Sequence, residues 1–376
     1  MERTQRARIL KDLGKKMVFL SGPRQVGKSW LARDLSKEFS RPIYLNWDNL
    51  QDRELIQKQA WTSDRDLVAL DEIHKMPGWK GYLKGIYDTK PDNMAILVTG
   101  SARLETFRQS GDSLAGRYFH HRLFPLCPAE AAAVGEKRSL DHFLERGGFP
   151  EPFLAKTDDD ARRWRRFYLD GLIREDILSF ENIRELRAMN LLVELLRERV
   201  ASPLSYQSLG EDIGAAPNTI KRYIEILEAL YIVFRIYPHH RSISRSLLLL
   251  PKLYFFDTAL VKGGPGPKLE NHVALALLKE LASRQDMDGT PRELRYLRTK
   301  EGREVDFLIA VEDTPRLAVE VKAQDRDIAP GLSYFCGRYG IPGLQLLGDL
   351  RLEYVEDGVE VRAAQPWLES IGSQTF

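Results

Sequence analysis

The chain has 376 residues with a formal net charge of +2, and 43% of its residues are hydrophobic. This length is too great for one hydrophobic core and predicts two to four domains. Because the net charge is nearly neutral, it gives no indication that the protein binds nucleic acid, and any basic surface must be local. No apolar run approaches the ~20 residues that a membrane-spanning helix needs, which argues against an integral membrane protein.

The N-terminus and the cysteines bear on cellular location. Residues 1–8 are charged and no apolar core follows them, so we expect no secretory signal. Cys127 and Cys336 lie far apart in the sequence and match neither a disulfide framework nor the spacing of zinc ligands. We therefore expect a cytoplasmic protein with no membrane partner.

The first motif in chain order is Gly22–Ser29, which satisfies G-x-x-x-x-G-K-[ST]. An apolar run before it predicts a strand, and the stretch from Lys28 to Lys37 predicts a helix. Such a loop points backbone N–H groups at nucleotide phosphates, while Lys28 reaches the β- and γ-phosphates and Ser29 ligates Mg²⁺. A glycine-rich loop without a ligand is the disfavoured alternative. The predicted nucleotide-binding residues are Gly22, Pro23, Arg24, Gln25, Val26, Gly27, Lys28, Ser29 and Trp30.

Two later strands predict the rest of a phosphate-transfer site. The apolar run 67–70 reads as a strand buried on both faces and ends in Asp71 and Glu72. We expect Asp71 to hold Mg²⁺ and Glu72 to orient or deprotonate the attacking water, with an exposed acidic turn as the alternative. The run 95–99 predicts another buried strand, and at its tip Thr99 or Ser101 could sense the γ-phosphate. Each of these two hydroxyls could equally cap the following turn.

These motifs, in this order, resemble the prokaryotic AAA+ ATPases that carry a C-terminal domain of uncharacterised function. The resemblance extends over nearly the whole chain and implies a five-stranded parallel sheet, a helical lid and a homo-oligomer such as a hexameric ring. It also offers Arg117 as an arginine acting on the γ-phosphate within a subunit or across an interface, with Arg103 as a competing candidate. The further segments that carry the resemblance are 45–48, 70–75, 98–101, 113–117, 124–126, 147–150 and 252–257.

The predicted fold class is α/β, with four domains in chain order. A P-loop AAA+ core with a parallel sheet is predicted for 1–127 and a helical lid for 128–183. A winged helix-turn-helix follows over 184–258. An α/β restriction-endonuclease-like domain is predicted for 259–376.

The winged helix is predicted from apolar periodicity and a local excess of positive charge. Helices are expected over 186–200 and 205–213, with a third capped by Asn218, and wing strands over 231–237 and 247–256. Six basic and two acidic residues lie between Asn218 and Lys252, the pattern of a surface that binds duplex or branched DNA. A protein-binding module or part of the lid is the alternative. The candidate DNA contacts are Lys221, Arg222, Arg241 and Arg245.

The C-terminal third carries a second set of charged residues. Glu270 is expected to open an amphipathic helix that runs to about Leu281, and Asp306 interrupts an apolar strand. Glu320 and Lys322 stand two residues apart and therefore on one face of the next strand. This order resembles the restriction-endonuclease-like fold, in which carboxylates hold Mg²⁺ and a lysine positions water. The alternative is an edge hairpin with ordinary Glu–Lys pairing, and the fold alone does not guarantee activity.

The sequence therefore predicts an ATP- and Mg²⁺-dependent AAA+ ATPase that remodels a bound partner, with DNA favoured. Two other functions stay open. One is a nucleotide-gated switch that binds protein, and the other is an ATP-dependent metal nuclease.

Overall fold

The computed structural model describes residues 3–100, 114–133, 139–178, 186–239, 250–325 and 327–376, and for residues 133 and 175–178 it describes the backbone only. The chain divides into two compact units, each described by itself below. The first is Met1–Phe124 with Asp286–Asp288, and the second is Pro125–Gln285 with Gly289–Phe376. The finer division into four domains stays a prediction.

The first unit is built on a five-stranded sheet in the order β2-β3-β4-β1-β5, in which all neighbours pair parallel. The five parallel strands implied by the resemblance are thereby confirmed. Because β4 lies between β1 and β3, the segments that follow these three strands emerge at one edge. The strands are β1 (Met17–Ser21), β2 (Pro42–Asn46), β3 (Leu67–Asp71), β4 (Ala95–Thr99) and β5 (Tyr118–Arg122).

Helices cover the sheet of the first unit, and the three central strands are buried throughout. Side chains of β1 alternate between two apolar cores, since Met17 and Phe19 enter one core while Val18 and Leu20 enter the other. This continuous burial explains why the central strands read as unbroken apolar runs. The helices are α1 (Arg6–Leu13), α2 (Lys28–Ser36), α3 (Leu50–Lys58) and α4 (Trp79–Thr89).

The second unit begins with a series of helices. Helix α10 is capped by Ser205, whose hydroxyl accepts the Ser208 N–H at 3.2 Å. The predicted cap Asn218 is wrong, because α11 is preceded by Ala216 and Pro217 takes its first position, where a missing N–H costs no hydrogen bond. The helices are α5 (Pro128–Ala133), α6 (Leu140–Arg146), α7 (Pro150–Leu154), α8 (Asp158–Leu178), α9 (Leu186–Glu198), α10 (Tyr206–Ile213) and α11 (Pro217–Ala229).

A mixed eight-stranded sheet forms the rest of the second unit, in the order β12-β13-β11-β10-β9-β8-β6-β7. The strands are β6 (Val233–Pro238), β7 (Lys252–Phe255), β8 (Arg292–Arg298), β9 (Glu304–Val311), β10 (Thr314–Lys322), β11 (Gly343–Leu347), β12 (Tyr354–Glu356) and β13 (Val359–Ala363). The helices are α12 (Pro265–Asp288), α13 (Pro330–Tyr339) and α14 (Ala364–Glu369).

A strand pairing and a helix of the second unit differ from the sequence expectations. Strands β6 and β7 pair antiparallel, as a wing would, but β6 also pairs parallel with β8 and so extends the C-terminal sheet. Helix α12 begins at Pro265 rather than at Glu270, and it is buried around most of its circumference instead of being amphipathic. No described helix is long and apolar enough to cross a membrane.

Candidate nucleotide site and a second carboxylate cluster

The backbone conformation of the loop between β1 and α2 depends on two glycines, Gly22 and Gly27. A Cβ on Gly22 would lie 2.1 Å from the Leu123 carbonyl oxygen, so no larger residue fits there without movement. Gly27 has a φ of 100° and is the N-cap of α2, a left-handed conformation that favours glycine. The motif therefore sits between a buried strand and a helix N-terminus, as predicted.

Lys28 is the first residue of α2 and is only 7% exposed. Its ammonium folds back over the loop and donates to the carbonyl oxygens of Gly22 at 3.0 Å and Pro23 at 2.5 Å. Burial lowers the pKa of Lys28 to about 8, although the nearby carboxylates of Glu72 and Asp71 favour the charged form. The structure thus places a cation where bound phosphates would need one.

Asp71 ends β3 and is 2% exposed, between neighbours that all donate to its carboxylate. In the sheet register it pairs with Asn46 of β2 on one side and Thr99 of β4 on the other. Ser29 donates to Oδ2 at 2.8 Å and the Asn46 amide at 3.4 Å. The hydroxyls of Tyr44 and Thr99 donate to Oδ2 and Oδ1. These donors are neutral, so they orient the carboxylate without cancelling its charge.

The oxygens of Ser29 and Asp71 suit a magnesium ion. A hydroxyl and a carboxylate 2.8 Å apart are hard oxygen donors, the type that Mg²⁺ takes in nucleotide sites. Ser29 and Asp71 are therefore the residues that would hold it.

Glu72 follows Asp71 in a left-handed conformation, with a φ of 57°. Its backbone N–H donates to the Thr99 carbonyl at 3.0 Å. Its Oε2 lies 3.2 Å from Lys75 Nζ, which also pairs with Asp48 at 2.5 Å. Glu72 thus lies beside the nucleotide loop at the sheet edge, anchored at both its backbone and its side chain.

The remaining predicted residues of this site are placed less favourably. Arg117 precedes β5 at the opposite edge of the sheet, where its carbonyl pairs with the Met17 N–H. Its guanidinium is 2.9 Å from Asp88. The structure therefore does not bring Arg117 to the nucleotide site of its own chain, and a role across an interface stays a prediction. Ser101 and Arg103 lie outside the described residues.

The remaining predicted nucleotide-binding residues lie in the loop and at the start of α2. Val26 in the loop is buried and Trp30 in α2 is half exposed, while Gln25 has a left-handed φ of 58°. Pro23 contributes its carbonyl to Lys28, and the charge of Arg24 acts on the same lysine, lowering its pKa.

Sequence reasoning missed three residues of this site. Tyr44 and Asn46 of β2 donate to Asp71, and the only signal near them was the segment 45–48 that carries the resemblance. Arg3 is 4% exposed and donates to the carbonyls of Val26 and Phe124. No pattern in the sequence marked Arg3.

The second unit brings together all four residues of the predicted nuclease-like set. Glu320 Oε1 lies 2.9 Å from Lys322 Nζ, and the Asp306 N–H approaches Glu320 Oε2 at 3.4 Å. Asp306 Oδ2 accepts the Val321 N–H at 3.0 Å. Glu270 completes the set from helix α12.

Lys252, which the sequence reading counted among the basic residues of the winged helix, lies inside this cluster. Its side chain is 2% exposed, and its Nζ lies 2.7 Å from Glu304, 3.2 Å from Asp306 and 3.4 Å from Glu270. An ammonium in contact with three carboxylates takes the position that a divalent cation would need. In this arrangement the cluster does not fit a metal ion. Among the described residues no group of three or more His, Cys, Asp or Glu side chains forms a candidate metal site.

Two carboxyl groups of this cluster have pKa values above their ordinary range. Burial, and then the charge of Asp306, raise the pKa of Glu270 to about 8 and that of Glu320 to about 7. Lys252 and Lys322 oppose these shifts, respectively. The cluster therefore favours protonated carboxyls as well as lysine ammonium groups.

The predicted DNA-contacting residues are only partly placed. Lys221 and Arg222 are exposed near the N-terminus of α11. Arg235 pairs with Glu228 at 2.9 Å, so together with Lys252 it is engaged inside the unit. Arg241 and Arg245 lie outside the described residues.

Comparisons with known proteins divide the chain into three matches. Residues 14–132 match the model of an AAA domain. Residues 137–263 and 265–355 match two domains of unknown function (DUF8612 and DUF4143). The N-terminal match covers the loop and most of the parallel sheet described above, so this part of the chain is similar to AAA-type P-loop domains.

Similar whole chains include uncharacterized proteins. One from Mycobacterium tuberculosis is 26% identical over 314 residues, covering 80% of this chain and 68% of its own length. One from Methanocaldococcus jannaschii is 24% identical over 345 residues, covering 82% and 76%. The structure of the Walker-type ATPase of Pyrococcus abyssi aligns with a TM-score of 0.44 at 16% identity, covering 69% of this chain and 94% of that one.

Proposed function

We propose that the first unit hydrolyses ATP and that the hydrolysis cycle remodels a bound partner, with DNA as the favoured partner. The observation that carries the hydrolysis proposal is the convergence of Lys28, Ser29, Asp71 and Glu72 at one sheet edge. A nucleotide cradle, a cation, a pair of magnesium ligands and a carboxylate next to them are the parts that phosphoryl transfer to water needs.

Each residue has a role in this proposal. The N–H groups at the start of α2 and the Lys28 ammonium bind the phosphates and stabilise the charge that develops on them. Mg²⁺, held by Ser29 and Asp71, would supply further charge neutralisation on the phosphates. Glu72 accepts a proton from the attacking water, and Thr99 or Ser101 senses the γ-phosphate. Arg117 acts from a neighbouring subunit of a homo-oligomer.

The hydrolysis proposal is tested by steady-state ATP turnover of Glu72→Gln. A general base contributes about 10²- to 10⁴-fold, so turnover should fall at least about 100-fold while ADP affinity stays within about twofold. Glu270→Gln is the matched control, since it makes the same change in the second unit and should leave turnover unchanged. Turnover of Glu72→Gln equal to that of the wild type would remove Glu72 from the mechanism.

Partner binding is proposed to occur on α11 through exposed Lys221 and Arg222. Wild-type turnover should rise with duplex, single-stranded or branched DNA. Binding of the DNA should weaken as the salt concentration rises, because binding releases the cations that are condensed on the DNA. Replacing Lys221 with alanine should lower the salt slope by about one, whereas Lys37→Ala in the first unit should not. ATP turnover that does not change with any form of DNA would favour the nucleotide-gated switch that binds protein.

The ATP-dependent nuclease is the third hypothesis, and the position of Lys252 argues against it. Cutting of DNA that requires metal and is lost in Asp306→Ala would support a nuclease in spite of this lysine, and survival of the cutting in Lys28→Ala would show that it does not depend on ATP.

A further inference from the structure

We infer that Arg3 is a positioning residue of the nucleotide site, which orients a backbone N–H of the phosphate loop. This inference rests on the proposed function, because it assigns Arg3 to the binding of the same nucleotide.

The first step is the contact that Arg3 makes. Its guanidinium is buried and donates to the carbonyl oxygen of Val26, inside the loop, and to that of Phe124 at 3.1 Å, just after β5. Gln5 adds a parallel contact, with its amide donating to the Arg122 carbonyl at 3.1 Å. The segment before α1 therefore ties the phosphate loop to the chain that leaves β5.

The second step is the geometry of the peptide that Arg3 holds. In a trans peptide the C=O and the following N–H point in opposite directions. A hydrogen bond that fixes the Val26 carbonyl on the Arg3 side therefore fixes the Gly27 N–H on the other side. Gly27 is the N-cap of α2, where backbone N–H groups have no partner within the helix and are available to an anion.

The third step is why the residue is an arginine. The planar guanidinium carries several donors in a rigid fork, so one side chain can hold two carbonyls from separate segments. The start of the loop also packs directly against the chain that leaves β5, because a Cβ on Gly22 would lie 2.1 Å from the Leu123 carbonyl oxygen. The segment 123–124 therefore meets the loop directly at Gly22 and, through Arg3, at Val26.

The test compares Arg3→Gln and Arg8→Gln in the 376-residue chain. Arg8 lies in α1, where it pairs with Asp12 at 3.1 Å and donates to the Met287 carbonyl at 2.6 Å rather than to the loop. We expect the Kd for ADP to rise about tenfold in Arg3→Gln and to stay unchanged in Arg8→Gln. In turnover assays the KM for ATP should rise by a similar factor, with kcat within about twofold, since phosphate binding by the loop is common to ground and transition states.

Arg3→Lys provides a milder variant if Arg3→Gln does not fold. It keeps a cation but not the fork, and we expect about a threefold rise in the Kd for ADP. ADP affinity equal to the wild type in the folded Arg3 variants, or a fall in kcat at constant KM, would overturn the inference. Wild-type protein that binds neither ADP nor ATP would instead defeat the proposed function itself.

Discussion

The candidate nucleotide site of the first unit and the carboxylate cluster of the second both bury acidic side chains on sheet strands, but their partners differ. Asp71 accepts hydrogen bonds from hydroxyls and an amide, which are neutral. Asp306 and Glu270 share the ammonium of Lys252. The first arrangement preserves a negative charge, and the second compensates it.

This difference explains why similar residue types indicate different chemistry in the two units. Neutral donors hold a carboxylate in place while leaving its attraction for a hard cation intact. A buried ammonium among carboxylates already satisfies that attraction, and removing it would leave uncompensated buried charge. The comparison therefore predicts a cation site at Asp71 and a structural ion cluster around Lys252.

The largest expected effect is on the stability of the second unit. Lys252→Gln removes the buried partner of three carboxylates and should lower the free energy of unfolding by about 3–5 kcal/mol. Lys322→Gln removes a lysine that is 36% exposed and should cost less than about 1 kcal/mol. Denaturant unfolding of the three proteins measures both values, and equal losses would contradict the central position of Lys252.

The next expected difference between the two sites is in metal binding, and its free energy is smaller than the loss of stability in Lys252→Gln. Mn²⁺ titrated with ADP should bind the wild-type protein, and Ser29→Ala should weaken that binding about tenfold, or ~1.4 kcal/mol. Asp306→Asn should leave it unchanged, because Lys252 keeps cations from the second cluster. Paramagnetic resonance of free Mn²⁺ provides the measurement, and Mn²⁺ uptake without nucleotide that disappears in Asp306→Asn would break the comparison.

A third expected effect is a pH dependence of stability that arises from Glu270. Its pKa is raised from 4.5 to about 8, so the folded chain keeps a proton that the unfolded chain releases. This contribution to stability is complete below pH 4.5 and is lost as the pH rises through 8. Glu270→Gln carries no such proton, and its unfolding free energy should therefore decline less between pH 5 and 8, by more than ~1 kcal/mol. An exposed control, Glu353→Gln, should follow the wild type.

Much of the first unit was predictable because its signals are local. The spacing of Gly22, Gly27, Lys28 and Ser29 determines a loop between a strand and a helix, and unbroken apolar runs mark the buried strands on either side. The acidic pair at Asp71 follows one of these strands, and parallel strands bring their carboxyl ends to one edge.

The sequence expectations were wrong or incomplete where a pattern had two structural readings. The apolar runs assigned to a wing do form an antiparallel pair, yet their hydrogen bonds continue to β8. The signal for α12 was read as amphipathic because Glu270 and its neighbours are polar, whereas polar residues such as Asn271 and His272 are buried. Local composition cannot distinguish a polar residue in solvent from one with a buried partner.

The sequence by itself determined the phosphate loop, the acidic strand end and the buried strands beside them, since each depends on neighbours along the chain. Only the tertiary structure decided that Arg3 reaches Phe124, 121 residues away, and that Lys252 meets Asp306, 54 residues away. Such charges carry no periodic signal, because their role depends on which carbonyl or carboxylate the folded chain brings within hydrogen-bond distance.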